Sequence, residues 1–246
     1  MRIASFAGVQ DAARQIARVA VRTPLIESAA LNARLGGRVL IKAETLQVTG
    51  AFKFRGAYNR ISRLTDEERK HGVVAFSSGN HAQAVAAAAR MMGTHAIIVM
   101  PADSPKVKLD GVIAHGGEVR TYDRYTESRE AIGEAIAAEH GSVLVPPFDD
   151  PLIIEGQGTV ALELLEQAKA IGAAPIDHLL CGMSGGGLMA GINLTLAATA
   201  SHTQVFGVEP QAYDDTRRSL IAGERRGHPP VTRPSICDAL MSPQPG

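Results

Sequence analysis

Short apolar runs and longer mixed segments take turns along the chain. Residues 37–44, "GRVLIKAE", read as a strand, and residues 72–77, "GVVAFS", as a short buried one. The segment "HAQAVAAAARMMG" (81–93) reads as a helix. It is small or apolar on nearly all faces, which predicts burial, and Gly93 stands where a left-handed terminator belongs. "HAIIVMP" is the next strand, "SPKVKLDGVIAHGG" a helix and "EVRTYD" a strand. "YTESREAIGEAIAAEHG" is an amphipathic helix closed by Gly141, and "SVLVPPF" is another strand. Beyond Pro151 come the helix "IEGQGTVALELLEQAKAIG", the strand "IDHLLCGM", the helix "LMAGINLTLAATA" and the strand "TQVFGVEP". Strands separated by helices of this length require crossover connections, so the pattern predicts an α/β protein with mostly parallel sheets. Such sheets bind ligands at the carboxyl ends of their strands.

Composition narrows the class. The chain has 246 residues, 45% hydrophobic and 20% charged, which is the profile of a globular protein. A chain of this length buries roughly 70% of its unfolded surface, so it needs no disulfide or structural metal to fold. Lys+Arg and Asp+Glu number 25 each, so no global basic field exists to attract nucleic acid. Cys181 and Cys237 form no CxxC pair, which fits a reducing compartment. Asp11 and Arg14 stand where a signal peptide would be apolar, and Arg90 interrupts the most apolar stretch. A cytoplasmic protein with neither nucleic-acid nor membrane partners is expected. "GERRGHPPVTRPS" (Gly223–Ser235) reads as a solvated surface loop.

Two strand-to-helix corners carry candidate chemistry. In "SGGGLMAG" (Ser184–Gly191) three consecutive glycines precede a helix, whose first N–H groups and partial positive charge suit a phosphate. Gly185, Gly187 and Ala190 also satisfy G-x-G-x-x-G/A after a strand. Glu209 ends the next strand, where a ribose contact would lie, so a dinucleotide-binding oxidoreductase is an alternative. In "SSGNHAQA" (Ser77–Ala84) the N–H groups suit a carboxylate, with Ser78 and Asn80 as further donors and His81 able to titrate near neutrality. Read alone, this corner is a turn with a Ser or Asn helix cap. In "VEPQAYDDT", Glu209, Asp214 and Asp215 suit either a Mg2+-like cation or, more simply, an Asp cap on the helix that follows. The eight histidines show no HxH or HExxH spacing, and no G-x-S-x-G elbow occurs.

"VTGAFKFRGAYNRI" places Lys53 between Phe52 and Phe54, two of only six phenylalanines. Composition permits either a snorkelling charge or an amine made reactive by an apolar flank.

"TGAFKFRGAYNRI", "SSGNHAQA", "SGGGL", "GQGTVALEL" and "VFGVEP" occur in one order that resembles the serine/threonine dehydratases and serine racemases, fold type II pyridoxal 5′-phosphate enzymes. The resemblance covers nearly the whole chain. It implies a tryptophan synthase beta-like α/β fold of two open, twisted, mostly parallel sheets with flanking helices. Residues 1–65 and 148–246 would form a large cofactor-binding domain and residues 66–147 a small one. Lys53 would carry the cofactor and move the substrate's Cα proton, with Phe52 against the ring and Asn80 on its hydroxyl. The N–H groups of Ser184, Gly185, Gly186, Gly187 and Leu188 would hold the phosphate. Ser77, Ser78, Gly79, Asn80 and His81 would grip the substrate carboxylate, and Ser78 would act opposite the lysine. Glu209, Asp215 and the Tyr213 carbonyl would hold Mg2+ or Mn2+, which displaces the simpler cap. The implied activity is dehydration and deamination of threonine or serine to a 2-oxo acid and ammonia, by a homodimer. Racemisation of a hydroxy amino acid is the alternative. Family members run several tens of residues beyond the equivalent of Gly246, where they supply the last sheet elements and a partner for the pyridine nitrogen. A ligand-binding fragment without turnover is therefore a further alternative. Ala239 stands where the family often has glycine.

Overall fold

The computed structural model of the protein describes residues 2–228 and 235–246. The first part of the chain holds α1 (Phe6–Ile16), β1 (Leu25–Glu27), α2 (Ala29–Leu35), β2 (Leu40–Lys42), α3 (Lys53–Ile61) and α4 (Asp66–His71). A β–α alternation follows: β3 (Val73–Phe76), α5 (Asn80–Met91), β4 (Ala96–Pro101), α6 (Lys106–Ala114), β5 (Glu118–Tyr122), α7 (Arg129–His140) and β6 (Val143–Leu144). The last part holds α8 (Pro151–Ala170), β7 (His178–Gly182), α9 (Gly187–Thr199), β8 (Gln204–Val208) and α10 (Asp215–Ala222).

Four strands form one parallel sheet in the order β5-β4-β3-β6. Its side chains alternate between faces as strand geometry dictates. Val73, Ala75, Ile98 and Met100 pack with the alanines of α5 and with Phe54, Ala57 and Ile61 of α3. Val74, Phe76, Ile97 and Val99 pack with Ile136 of α7. The expected burial of α5 holds, and Gly93 (φ 66°) and Gly141 (φ 67°) turn the chain out of their helices in the left-handed region. β6 is shorter than the pattern predicts, because Pro146 and Pro147 have no N–H to continue the ladder.

The remaining strands form two pairs, β7 with β8 parallel and β1 with β2 antiparallel. Residues of β2 and β7 line an apolar cleft of about 950 Å³ and do not pair with each other. The strand expected over residues 37–44 is only Leu40–Lys42.

α8 is the central helix of this half. Asp150 accepts hydrogen bonds from the Leu152 and Ile153 N–H groups and Pro151 occupies the first turn, a strong start signal. α3 and α9 pack on α8 at backbone distance. A Cβ on Gly156 would lie 2.6 Å from the Gly56 Cα, and one on Gly158 would lie 2.7 Å from the Gly191 carbonyl oxygen. The starts of α3, α5 and α9 converge on one cavity. Residues 224–227 of the Gly223–Ser235 loop are exposed as expected, and residues 229–234 lie outside the described part.

Candidate active site

The cavity has a volume of about 320 Å³. Phe52, Lys53, the corner Ser77–His81 and the corner Ser184–Leu188 all line it, so three separate stretches of sequence meet there. Lys53 opens the first turn of α3. Its Nζ donates to the Pro147 carbonyl at 2.7 Å and sits 5.3 Å from the centre of the Phe52 ring. Among the described residues no carboxylate pairs with it. Burial without a counter-charge lowers its pKa from 10.5 to about 8. A useful fraction of the amine is thus neutral near physiological pH and able to add to a carbonyl group. The snorkelling alternative fails, because the charged end is the buried end.

The glycine corner has two different reasons for its three glycines. Gly186 has φ 87° and caps α9. A Cβ on Gly185 or Gly187 would run into Phe148, at 2.1 and 2.9 Å respectively. Close approach is therefore needed by a protein side chain as well as by any ligand. Ser184 adopts φ 53°, a left-handed conformation that glycine occupies without strain. The Gly186 N–H donates to the Met183 carbonyl at 3.2 Å, so this donor is already engaged in the turn. The first N–H groups of α9 have no acceptor within their own helix and point at the cavity end, as an anion site requires.

The serine corner departs from the simple cap. Gly79 is the residue before α5 and no side chain caps the helix; the Ser77 Oγ instead accepts from the Gly79 N–H at 3.2 Å. His81 is buried, and its Nε2 lies 2.9 Å from the Val145 carbonyl. A carbonyl only accepts, so Nε2 carries the proton and Nδ1 is the buried acceptor, unmatched by any donor among the described residues. Burial, and then the nearby Lys53 charge, lower its pKa to about 3 against the opposing Val145 hydrogen bond. The expectation that His81 titrates near neutrality is corrected: it is a neutral pin.

At the third corner Glu209 accepts from the Thr216 and Arg217 N–H groups at 3.1 and 3.0 Å. It caps α10 from a distance. Asp214, expected as the cap, makes no such bond and pairs with Arg217 and Arg218 instead. Each Glu209 carboxylate oxygen thus accepts one backbone N–H and keeps a further lone pair. Asp215 is buried, and among the described residues its Oδ2 has no hydrogen-bond partner. Burial raises its pKa, aided by Glu209 and resisted by its own backbone N–H. Among the described residues no three His, Cys, Asp or Glu side chains gather as a metal site, so a cation here would need the Tyr213 carbonyl as well.

Several cavity residues had no signal in the sequence. Phe76, Pro147, Phe148, Lys108, Arg129 and Asp238 also line it. Lys108 pairs with Asp238 across the mouth at 2.5 Å, 130 residues apart in the chain. The Arg129 guanidinium lies 5.5 Å from the centre of the Phe76 ring.

A family model for pyridoxal-phosphate dependent enzymes matches residues 16–246. The L-threo-3-hydroxyaspartate ammonia-lyase of Saccharomyces cerevisiae is 44% identical over 223 residues, 91% of this chain and 67% of that protein. The structure of maize serine racemase superposes with a TM-score of 0.93 at 38% identity, over 100% of this chain and 72% of that one. The serine racemase of Dictyostelium discoideum gives 0.88 at 35% identity, over 97% and 75%. This chain thus spans about two thirds of the length of the yeast relative. No helix among the described residues is long and apolar enough to cross a membrane. An amine of lowered pKa and a glycine-built helix start on one cavity fit the aldehyde and the phosphate of pyridoxal phosphate. The chain belongs to the fold type II pyridoxal-phosphate dependent enzymes, in the family of the serine/threonine dehydratases and serine racemases.

Proposed function

We propose that the protein is a lyase that converts L-threonine or L-serine into a 2-oxo acid and ammonia. The observation that carries this reading is Lys53, a desolvated amine with no carboxylate partner among the described residues, on one cavity with the helix starts at Ser77–His81 and Ser184–Leu188. When bound, pyridoxal phosphate supplies an electron sink for charge that develops at the substrate Cα. Lys53 would hold it, Phe52 and Asn80 would contact its ring, and the corner Ser184–Leu188 would take its phosphate. The corner Ser77–His81 would fix the substrate carboxylate, and the His81–Val145 hydrogen bond would keep that corner in place. With the carboxylate fixed, the Cα–H bond can be aimed at Lys53, which takes the proton, while Ser78 stands in the same cavity wall. Loss of the Cα proton and the β-hydroxyl removes one water. Hydrolysis of the resulting imine consumes one water and releases ammonia.

Two further substrate outcomes have specific support. Lys53 and Ser78 both line the cavity, which supports racemisation, as in the maize relative's name. Lys108 and Arg129 line the cavity or its edge and now pair with Asp238 and Glu130; a second substrate carboxylate, as in the yeast relative's name, would take the place of one of those acids. The domain division at residues 66–147, a homodimer, a cytoplasmic location and a divalent cation at Glu209, Tyr213 and Asp215 complete the proposal. The buried, unmatched Asp215 Oδ2 supports the cation. The test is direct. Protein loaded with cofactor is given L-threonine, L-serine and L-threo-3-hydroxyaspartate, and 2-oxo acid, ammonia and D-amino acid are measured. The proposal expects 2-oxobutanoate or pyruvate with equimolar ammonia, and none from Lys53→Ala. Formation of D-serine without pyruvate would replace it with the racemase, and turnover of hydroxyaspartate alone would change the substrate.

A further inference from the structure

The tether and the proposed phosphate corner lie on different helices, α3 and α9, and both helices rest on α8. The contacts are unusually close. Gly56 of α3 meets Gly156, where an added Cβ would also lie 2.7 Å from the Arg55 carbonyl oxygen. Gly191 of α9 meets Gly158, and a Cβ on Gly191 would lie 2.3 Å from the Ile154 carbonyl oxygen. Residues two apart on a helix point about 200° apart, so Gly156 and Gly158 serve opposite faces of α8. Gly56 is three residues from Lys53, and Gly191 is four from Gly187 at the start of α9. Each crossing is therefore about one turn, ~5 Å, from the functional end of its helix. Side chains tie both crossings: the Asn59 Nδ2 donates to the Leu152 carbonyl at 2.7 Å, and the one hydroxyl hydrogen of Thr195 is shared between the Gly158 carbonyl at 3.1 Å and the Gly191 carbonyl of its own helix at 3.3 Å. Asn59 and Thr195 are fully buried.

We infer that Gly156 and Gly158 are positioning residues that set the distance between the Lys53 amine and the first N–H groups of α9. They thereby make the site selective for an aldehyde that carries a phosphate at a fixed reach. The inference rests on the reading of Ser184–Leu188 as the phosphate corner. A methyl group at Gly158 would meet the Gly191 carbonyl oxygen of α9 and the Val9 side chain of α1, each at 2.7 Å, so it must push α9 away from α8 and turn Val9 aside, and none of these close contacts lies on α3. A methyl group at Gly156 must move α3 instead.

Apo-protein titrated with pyridoxal phosphate and with pyridoxal, which lacks the phosphate, separates the two. Absorbance of the Lys53 adduct and its mass after borohydride reduction are the readouts. Gly158→Ala is expected to lower the preference for the phosphorylated aldehyde by about tenfold or more, with pyridoxal binding little changed. Gly156→Ala is expected to weaken adduct formation with both aldehydes alike. Gly37→Ala, in open space, is the control and should change neither. Thr195→Val removes the tie without adding bulk. It should shift the preference in the same direction by less, and it decides the matter if Gly158→Ala does not fold. Equal losses for both aldehydes in Gly158→Ala, or no loss, would overturn the inference, as would an unchanged preference in Thr195→Val. A wild-type protein that binds the two aldehydes equally would instead sink the phosphate-corner reading itself.

Discussion

Lys53 and Arg55 are two residues apart on α3, yet their surroundings are opposites. Both cations are withdrawn from water. Lys53 faces the cavity, with one carbonyl and one aromatic ring for company, and its pKa falls to about 8. Arg55 is fully buried on the other side, where Glu44 and Glu163 each grip it through both carboxylate oxygens at 2.7–2.9 Å. Burial opposes its charge, but those bonds outweigh burial and its pKa rises. Lys42 adds a second cation to Glu163 at 2.7 Å, so two cations meet two carboxylates. Burial alone thus decides little. Desolvation with compensation makes a permanent charge that fastens α3 to α8 and to the β2 region. Desolvation without it makes an amine that can discard its proton.

The largest way to break this contrast is Arg55→Met. It leaves two half-buried carboxylates, with Lys42 still on Glu163, and should cost about 3 kcal/mol of stability, read by urea denaturation. Adding Glu44→Gln and Glu163→Gln to that variant should recover much of the loss. No recovery would mean that packing, not charge balance, is what Arg55 supplies. A smaller effect belongs to the other face. The folded pKa of Lys53 lies below its unfolded value of 10.5, so between about pH 8 and 10.5 the unfolded chain binds more protons. The stability of the apo-protein should therefore gain a rising contribution across that window, with the full penalty present below it. In Lys53→Met that contribution should vanish. The difference between the two pH profiles is the measurement, and a flat difference would show that the amine titrates normally. Smallest is Thr159→Val, which removes the longest bond to Arg55, at 3.3 Å, and should cost ~1 kcal/mol in the same denaturation assay.

The long periodic segments were legible because their patterns depend only on neighbours in sequence. The glycines at 93 and 141 marked helix limits for local reasons, whereas α8 starts at Pro151, three residues before the segment read as helix. α3 carried no comparable signal. "KFRGAYNRI" has a glycine in mid-helix, and it is helical because Gly56 seats on α8 and Arg55 finds acids 11 and 108 residues away. The three corners were legible as chemistry, but their internal wiring was not. Ser78 and Asn80 looked like caps and make none, Asp214 looked like a cap and Glu209 serves instead, and His81 looked titratable until its burial was seen. Phe148 gave no sign that it would demand two of the three glycines. Each of these depends on partners that only the tertiary fold supplies.

The hydrogen bond from Lys53 to Pro147 bears on direction as well as on affinity. A neutral amine has two hydrogens and one lone pair, and it spins freely about its terminal carbon–nitrogen bond in water. With one hydrogen held by the Pro147 carbonyl, that rotation is restricted, and the lone pair is confined to a narrow set of bearings. A backbone carbonyl that cannot ionise thus acts as a rudder for the nucleophile at every pH at which the fold stands.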